Sequence, residues 1–128
     1  MISFYSNIHT KPKAAVEEIE ALYEALKWAK TQHPNEDDFI MLGDFNASCS
    51  YASDNEIEEL TISGDEFLWI VPNDADTNQS DKTECAYDRM VTTEGTKSDY
   101  GENWGVLTVD DKRVSDHHVV WAEFYSTK

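Results

Sequence analysis

Four apolar residues in an unbroken row, Phe39-Ile40-Met41-Leu42, run straight into Gly43-Asp44-Phe45-Asn46. A strand alternates its side chains between two faces, so a continuous apolar run must be covered on both. The nearest cover lies upstream. Val16, Ile19, Leu22, Tyr23, Leu26 and Ala29 recur at spacings of three and four, which predicts an amphipathic helix over Lys13 to Lys30. Thr10 or Pro12 stands near its start and Pro34 beyond its end, while Glu17, Glu18, Glu20, Glu24, Lys27 and Lys30 form its wet face.

The remaining elements follow from the same rules. Ile2 to Ile8 is β-branched and aromatic and reads as a strand ending at His9. Ser53 with Glu56 fits a capping box that opens a short helix running to about Leu60. Phe67 to Val71 and Asp88 to Thr92 read as strands, and Val119 to Tyr125 as the last one. Asn73 to Glu84 and the Gly/Asp/Asn-rich stretch Glu94 to Gly105 read as loops. No repeat or linker divides the chain, so residues 1–128 are expected to form one α/β (α+β layered) unit with a mixed sheet.

Composition narrows the function. The chain has 10 Lys+Arg against 26 Asp+Glu, a formal net charge of −16. Non-specific grip on a polyanion needs Lys and Arg, so a general basic patch for nucleic acid or anionic membrane is excluded. No apolar run approaches the ~18 residues of a membrane span, and Met1 to Tyr5 lacks the pattern of a signal peptide. At 40% hydrophobic and 12% aromatic residues the chain can still build a core. Cys49 and Cys85 form no zinc pattern, and spacing alone leaves both free buried thiols and one disulfide open.

Polar residues gather at the ends of expected strands: His9, Asp44 with Asn46, Asp88, and Asp116 with His117. Strand ends are rigid mounts for reactive groups. Asp44, Asn46 and Asp116 are hard oxygen ligands suited to Mg²⁺, Mn²⁺ or Ca²⁺. His9 and His117 can move protons near neutral pH, each given a carboxylate to fix its tautomer, with Asp44 and Asp88 as candidates. Each of these features alone is more often a turn or a cap. Asn46-Ala47-Ser48 and Asn78-Gln79-Ser80 also read as glycosylation sequons.

Together, Gly43-Asp44-Phe45-Asn46, Cys49-Ser50-Tyr51, Trp69-Ile70-Val71-Pro72, Cys85-Ala86-Tyr87-Asp88-Arg89 and Ser115-Asp116-His117 resemble the deoxyribonuclease I branch of the endonuclease/exonuclease/phosphatase superfamily. Ile8-His9-Thr10 and the helix after it resemble the segment that carries that family's first catalytic histidine. The resemblance covers nearly the whole chain but only the C-terminal half of such a domain. It implies one sheet with its outer helices, half of a four-layer sandwich.

By this resemblance His9 and His117 are the catalytic histidines, paired with Asp88 and Asp44 respectively. Asp44, Asn46 and Asp116 contact metal or phosphate, and Tyr51 and Tyr87 the DNA backbone. Cys49 and Cys85 form a disulfide, which points to a secreted or periplasmic protein. Asp76, Asn78 and Ser80, in the loop from Asp74 to Thr83, supply a Ca²⁺ site. The implied activity is Mg²⁺- or Mn²⁺-dependent hydrolysis of double-stranded DNA. The N-terminal half would add a metal-binding glutamate, a second glutamate behind a histidine, and an arginine for the minor groove. Without it, weak or no activity is expected, and a bare apolar sheet face lined by Phe4, Ile40, Leu42 and Val120 that a second copy or the missing half covers. Two departures stand out: His118-Val119 where the family has an aromatic and a proline, and a shortened Thr93 to Val114. A silent ion- or partner-binding half-domain, and a phosphomonoester or phospholipid head-group hydrolase, are the competing readings.

Overall fold

β2 (Phe39–Asp44) is the spine of the chain, as its apolar run requires. In the computed structural model, which describes residues 4–125, β2 pairs in parallel with β1 (Phe4–His9) and antiparallel with β4 (Asp88–Thr93). β3 (Phe67–Trp69) closes the other edge against β4, giving a mixed four-stranded sheet in the order β1-β2-β4-β3. Ile2 and Ser3 of the expected first strand lie outside the described residues. Phe39, Ile40 and Met41 are all buried, so both faces of the spine are covered at this end.

Helix α1 (Ala15–Gln32) supplies one cover. Ala15, Ile19, Leu22 and Leu26 are its buried stripe, spaced four, three and four, with Val16, Tyr23 and Ala29 on the flanks. A 3₁₀ turn with proline at its start, Pro12–Ala14, leads into the helix, and Glu17 and Glu18 place negative charge in its first turn. The short helix α2 (Asp54–Glu58) is fixed by its capping box: the Ser53 hydroxyl accepts from the Glu56 N–H while the Glu56 carboxylate accepts from the Ser53 N–H. Its Ile57, with Leu60 and Ile62 after it, enters the same core as Phe45 and Val91.

Two expectations are corrected. Glu94 to Gly105 is not a loop: it holds helix α3 (Glu94–Lys97) and most of strand β5 (Tyr100–Leu107). β5 pairs antiparallel with β6 (Val119–Phe124) as a separate two-stranded ribbon. The strand is hidden in the sequence because Gly101 and Gly105 interrupt its strand-forming residues. Gly105 lies under the Trp121 ring, where an added Cβ would sit 2.9 Å from the indole. Phe4 is also not on the bare face. Its register partner is Phe39, and its ring stacks on Phe39 on the helix side, with the His33 ring 3.8 Å away. Val120 belongs to the ribbon, where it faces Leu42 and Met90 across a small cavity of about 140 Å³. The ribbon therefore covers part of the second face. Among the described residues no helix is long and apolar enough to cross a membrane.

Candidate active site

Register builds the site. His9 ends β1 and pairs with Asp44 at the end of β2, which in turn pairs with Asp88 at the start of β4. Residues directly opposite each other in a sheet share a face, so three chemically active side chains form one row. Gly43 makes the row possible. It has φ +135°, and a Cβ there would lie 2.1 Å from the Ile8 carbonyl oxygen.

His117 arrives from outside the sheet. Its N–H donates to the Ser115 hydroxyl, and it forms a bridge with Asn78. On either side of that bridge the Gln79 N–H donates to the Asp116 carbonyl and the His118 N–H to the Thr77 carbonyl, each at 2.8 Å. His117 Nδ1 lies 2.7 Å from Asp88 Oδ2, and Nε2 lies 3.8 Å from Asp44 Oδ2. His9 Nε2 stands 3.4 Å from the same Asp44 oxygen, with its side chain 77% exposed.

The expected histidine–carboxylate pairs are thus exchanged: His117 holds Asp88, and His9 faces Asp44. Strand order is the cause. Asp44 lies between His9 and Asp88, one strand spacing of ~4.8 Å from each, so His9 meets Asp44 first.

Burial and charge set the protonation of the pair. For His117, burial works against the cation. The bond to Asp88 and the charges of Asp88, Asp44 and Asp116 outweigh it, raising its pKa above the ordinary histidine value. Burial also lifts the Asp88 carboxyl above its usual range, against hydrogen bonds from His117 and Thr77.

The other expected residues divide. Asn46, in a left-handed turn (φ 48°), is buried; its amide nitrogen donates to the Thr10 carbonyl, and its N–H donates to Asp44 Oδ1. It fixes the loop and one Asp44 oxygen. Asp116 points into solvent, 90% exposed, with Oδ1 4.0 Å from His117 Nε2. Among the described residues, Asp44, Asp88 and His117 form the group close enough to share an ion, their ligand atoms within 4.8 Å of one another. The Tyr51 and Tyr87 rings lie 5.6 Å apart, tilted by 35°, and Tyr87 lies 6.0 Å from the His117 ring. Burial, then the neighbouring Tyr51 and Asp44, pushes the Tyr87 phenol up. The Cys49–Cys85 disulfide is formed and ties together the loops that carry these two tyrosines.

In the Asp74 to Thr83 loop, Asp76 Oδ1 accepts from the Asn78 and Cys85 N–H groups. Asn78 Oδ1 accepts from the Ser80 N–H, and Ser80 Oγ from the Lys82 and Thr83 N–H groups. These oxygens are engaged by their own backbone. Asn46 and Asn78 are both buried with their amide groups bonded, so neither sequon presents its nitrogen to a glycan. The residue reading missed Thr77, whose hydroxyl accepts from the Asp88 N–H, and Arg89, buried directly beneath the row. An arginine beside a strand-end aspartate in so acidic a chain was the available signal for the second.

No family model matches the chain. Among solved structures, truncated Caenorhabditis elegans TDP2 superposes with a TM-score of 0.64 at 13% identity, over 95% of this chain and 54% of that one. A Bacteroides thetaiotaomicron mannosyl-6-phosphatase gives 0.61 at 18%, over 95% and 51%. The chain thus shares its fold with both of these structures. Sequence relatives are more specific. Human deoxyribonuclease-1-like 2 is 33% identical over 130 residues, spanning 88% of this chain and 41% of the relative. Sus scrofa deoxyribonuclease-1-like 1 is 33% identical over 126 residues, 91% of this chain and 40% of the relative. Canis lupus familiaris deoxyribonuclease-1 reaches 40% over 86 residues, 66% of this chain and 29% of the relative. The chain is DNase I-like, and it spans about two fifths of the length of the first two of these relatives.

Proposed function

We propose that the chain carries the His117–Asp88 portion of a divalent-metal-dependent site that hydrolyses phosphodiester bonds of double-stranded DNA. The observation that carries this reading is the 2.7 Å contact between His117 Nδ1 and Asp88. With Nδ1–H donated to the carboxylate, Nε2 is left to take or give a proton, facing Asp44 and the opening of the site. The sequence relatives are deoxyribonucleases, which favours a phosphodiester; the fold, shared with a mannosyl-6-phosphatase, does not discriminate.

The donor set suits a small hard cation. Asp44 and Asp88 offer carboxylate oxygens on a half-buried face, and ions such as Mg²⁺ or Mn²⁺ keep several waters beside one or two carboxylates. When bound, such an ion supplies charge compensation for the phosphate that this acidic chain lacks. Asp44 would hold it, with Asn46 orienting the Asp44 carboxylate and Asp116 at the rim. Tyr51 and Tyr87 form the wall for the nucleic-acid backbone. The disulfide supports an oxidising, extracellular or periplasmic setting.

Among the described residues His9 shares its neighbouring carboxylate, Asp44, with His117, so slow hydrolysis by this chain alone is expected. Plasmid nicking with Mg²⁺ and Ca²⁺ tests the reading, with a chromogenic phosphomonoester in parallel. Slow nicking lost in His117→Ala is expected. No nicking, nicking indifferent to His117→Ala, or monoester turnover alone would overturn it. The ribbon leaves Leu107, Val119 and Trp121 exposed on the face opposite the Leu42–Val120 cavity, and we assign this exposed face to a second copy. Light scattering showing only a 14.6 kDa species at high salt rules out the second copy.

A further inference from the structure

We propose that Arg89 is a positioning residue for the His117–Asp88 pair, its guanidinium clasping from beneath the loop carbonyls that fix where Asp88 and the Asn46 turn stand. The proposal rests on the site reading above. Asp88 and Arg89 are consecutive on β4, so they leave the sheet on opposite faces. Asp88 points to His117. Arg89 points into the core, 2% exposed, with its guanidinium 5.5 Å from the Trp69 ring.

Its Nε donates to the Ala86 carbonyl at 2.6 Å, Nη1 to Val71 at 2.8 Å and Nη2 to Ala47 at 2.7 Å. All three acceptors lie where the chain leaves regular strand pairing: after β2, after β3 and before β4. A buried carbonyl without a ladder partner needs a donor from elsewhere. The planar fork of one arginine reaches three at once, whereas a lysine offers its protons from a single point.

The placement of those carbonyls links the clasp to the site. Ala47 follows Asn46, which holds Asp44, and Ala86 is two residues before Asp88. Ala47 and Ala86 also flank Cys49 and Cys85, so the disulfide joins the same two segments that the guanidinium joins from the core. Burial pushes the Arg89 pKa down to about 10, with Asp54 offsetting part of this, so the fork stays cationic at neutral pH. A charged donor makes stronger bonds to carbonyls than a neutral one.

The test is Arg89→Lys, which keeps the charge and removes the fork. The readout is the hydrogen-bonded Nδ1 proton of His117 by NMR, assigned by its loss in Asp88→Ala, together with the urea midpoint. We expect the Nδ1 proton signal to move upfield or vanish in Arg89→Lys while the chain stays folded. A lowered midpoint with an unchanged Nδ1 proton would show a merely structural arginine and overturn the proposal. Should Arg89→Lys fail to fold, the native chain answers on warming. Separately resolved Arg89 Nη protons that coalesce as the His117 proton is lost support the clasp. Averaged Nη protons beside an intact His117 signal refute it. Plasmid cleavage plays no part in this readout, so failure of the nuclease reading and failure of the clasp are told apart.

Discussion

The two histidines of the site face the same Asp44 oxygen, yet only His117 is held by a further carboxylate. His117 is a quarter exposed, bridged to the Asn78 loop, bonded to Asp88 and flanked by the Tyr87 ring. His9 is 77% exposed and touches Asp44 at 3.4 Å. Both were expected at strand ends and look alike in sequence. Position relative to the sheet makes the difference. The partners of His117 come from residues 76 to 88 and from β2, all within this chain, whereas His9 sits on β1, an edge strand of the sheet. One half of the site is closed by packed loops and the other lies open at a sheet edge.

The largest expected effect follows from that asymmetry. Removing a positioned general acid or base costs about 10²–10⁴ in rate. His117→Ala and Asp88→Ala should each fall in that range in the nicking assay, while His9→Ala, already loosely held, should cost no more than about tenfold. Equal losses at the two histidines would break the comparison and mean that His9 is as well placed as His117.

Much of the held half was legible in the sequence. The apolar run of β2, the stripe of α1 and the Ser53–Glu56 box follow local rules, and the structure keeps them nearly residue for residue. Pairing was not legible. His9 and Asp88 looked like partners until the order β1-β2-β4 put Asp44 between them. β5 was missed because glycines interrupt its strand chemistry: Gly105 makes room for Trp121 of β6 and Gly101 for Tyr125 just beyond it. Arg89 was missed because its three bonds go to backbone carbonyls, which carry no residue signature.

The disulfide sharpens the same contrast through stability. It closes a separation of 36 residues around the His117 side and leaves the His9 side untouched. Loop-closure arguments give roughly 3–4 kcal/mol for a loop of this size. Cys49→Ser with Cys85→Ser should lower unfolding stability by about that amount in urea. It should also increase amide exchange around Tyr51 and Tyr87 more than along β1. Uniform loosening of both sides would remove the distinction.

A smaller effect is expected with pH. The His117 pKa is raised in the folded chain, chiefly by Asp88 against the opposing pull of burial. A group raised in this way adds stability that is complete below its unfolded value, ~6.5, and lost as pH rises through the folded value. The urea midpoint should therefore decline from about pH 6.5 upward. Asp88→Asn removes the carboxylate charge, so the decline should flatten in that variant. A midpoint that rises over this window would reverse the assigned direction and free His117 from Asp88.

The smallest effect belongs to calcium at the Asp74 to Thr83 loop. Asp76, Asn78 and Ser80 already satisfy their own backbone, so an ion is not needed to form the turns. What remains for it is the polar cavity of about 350 Å³ between this loop and the β5–β6 connection, where Asp76 is joined by Asp81 and Asp110. Calcium takes six to eight oxygens, and extracellular sites with few charged ligands bind at about 10⁻⁴–10⁻³ M. At ten times a millimolar dissociation constant the linkage gain is only about 1.4 kcal/mol. Titration calorimetry should find binding in that range, weakened by Asp76→Asn. The accompanying rise in urea midpoint should be smaller than the loss from the disulfide variants. Because the loop hands Asn78 to His117 through the bridge, calcium should slow amide exchange on the His117 side and leave His9 unchanged. No heat up to ~10 mM calcium, well above the millimolar range such sites occupy, would remove the ion from the loop and leave the backbone turns as its whole support.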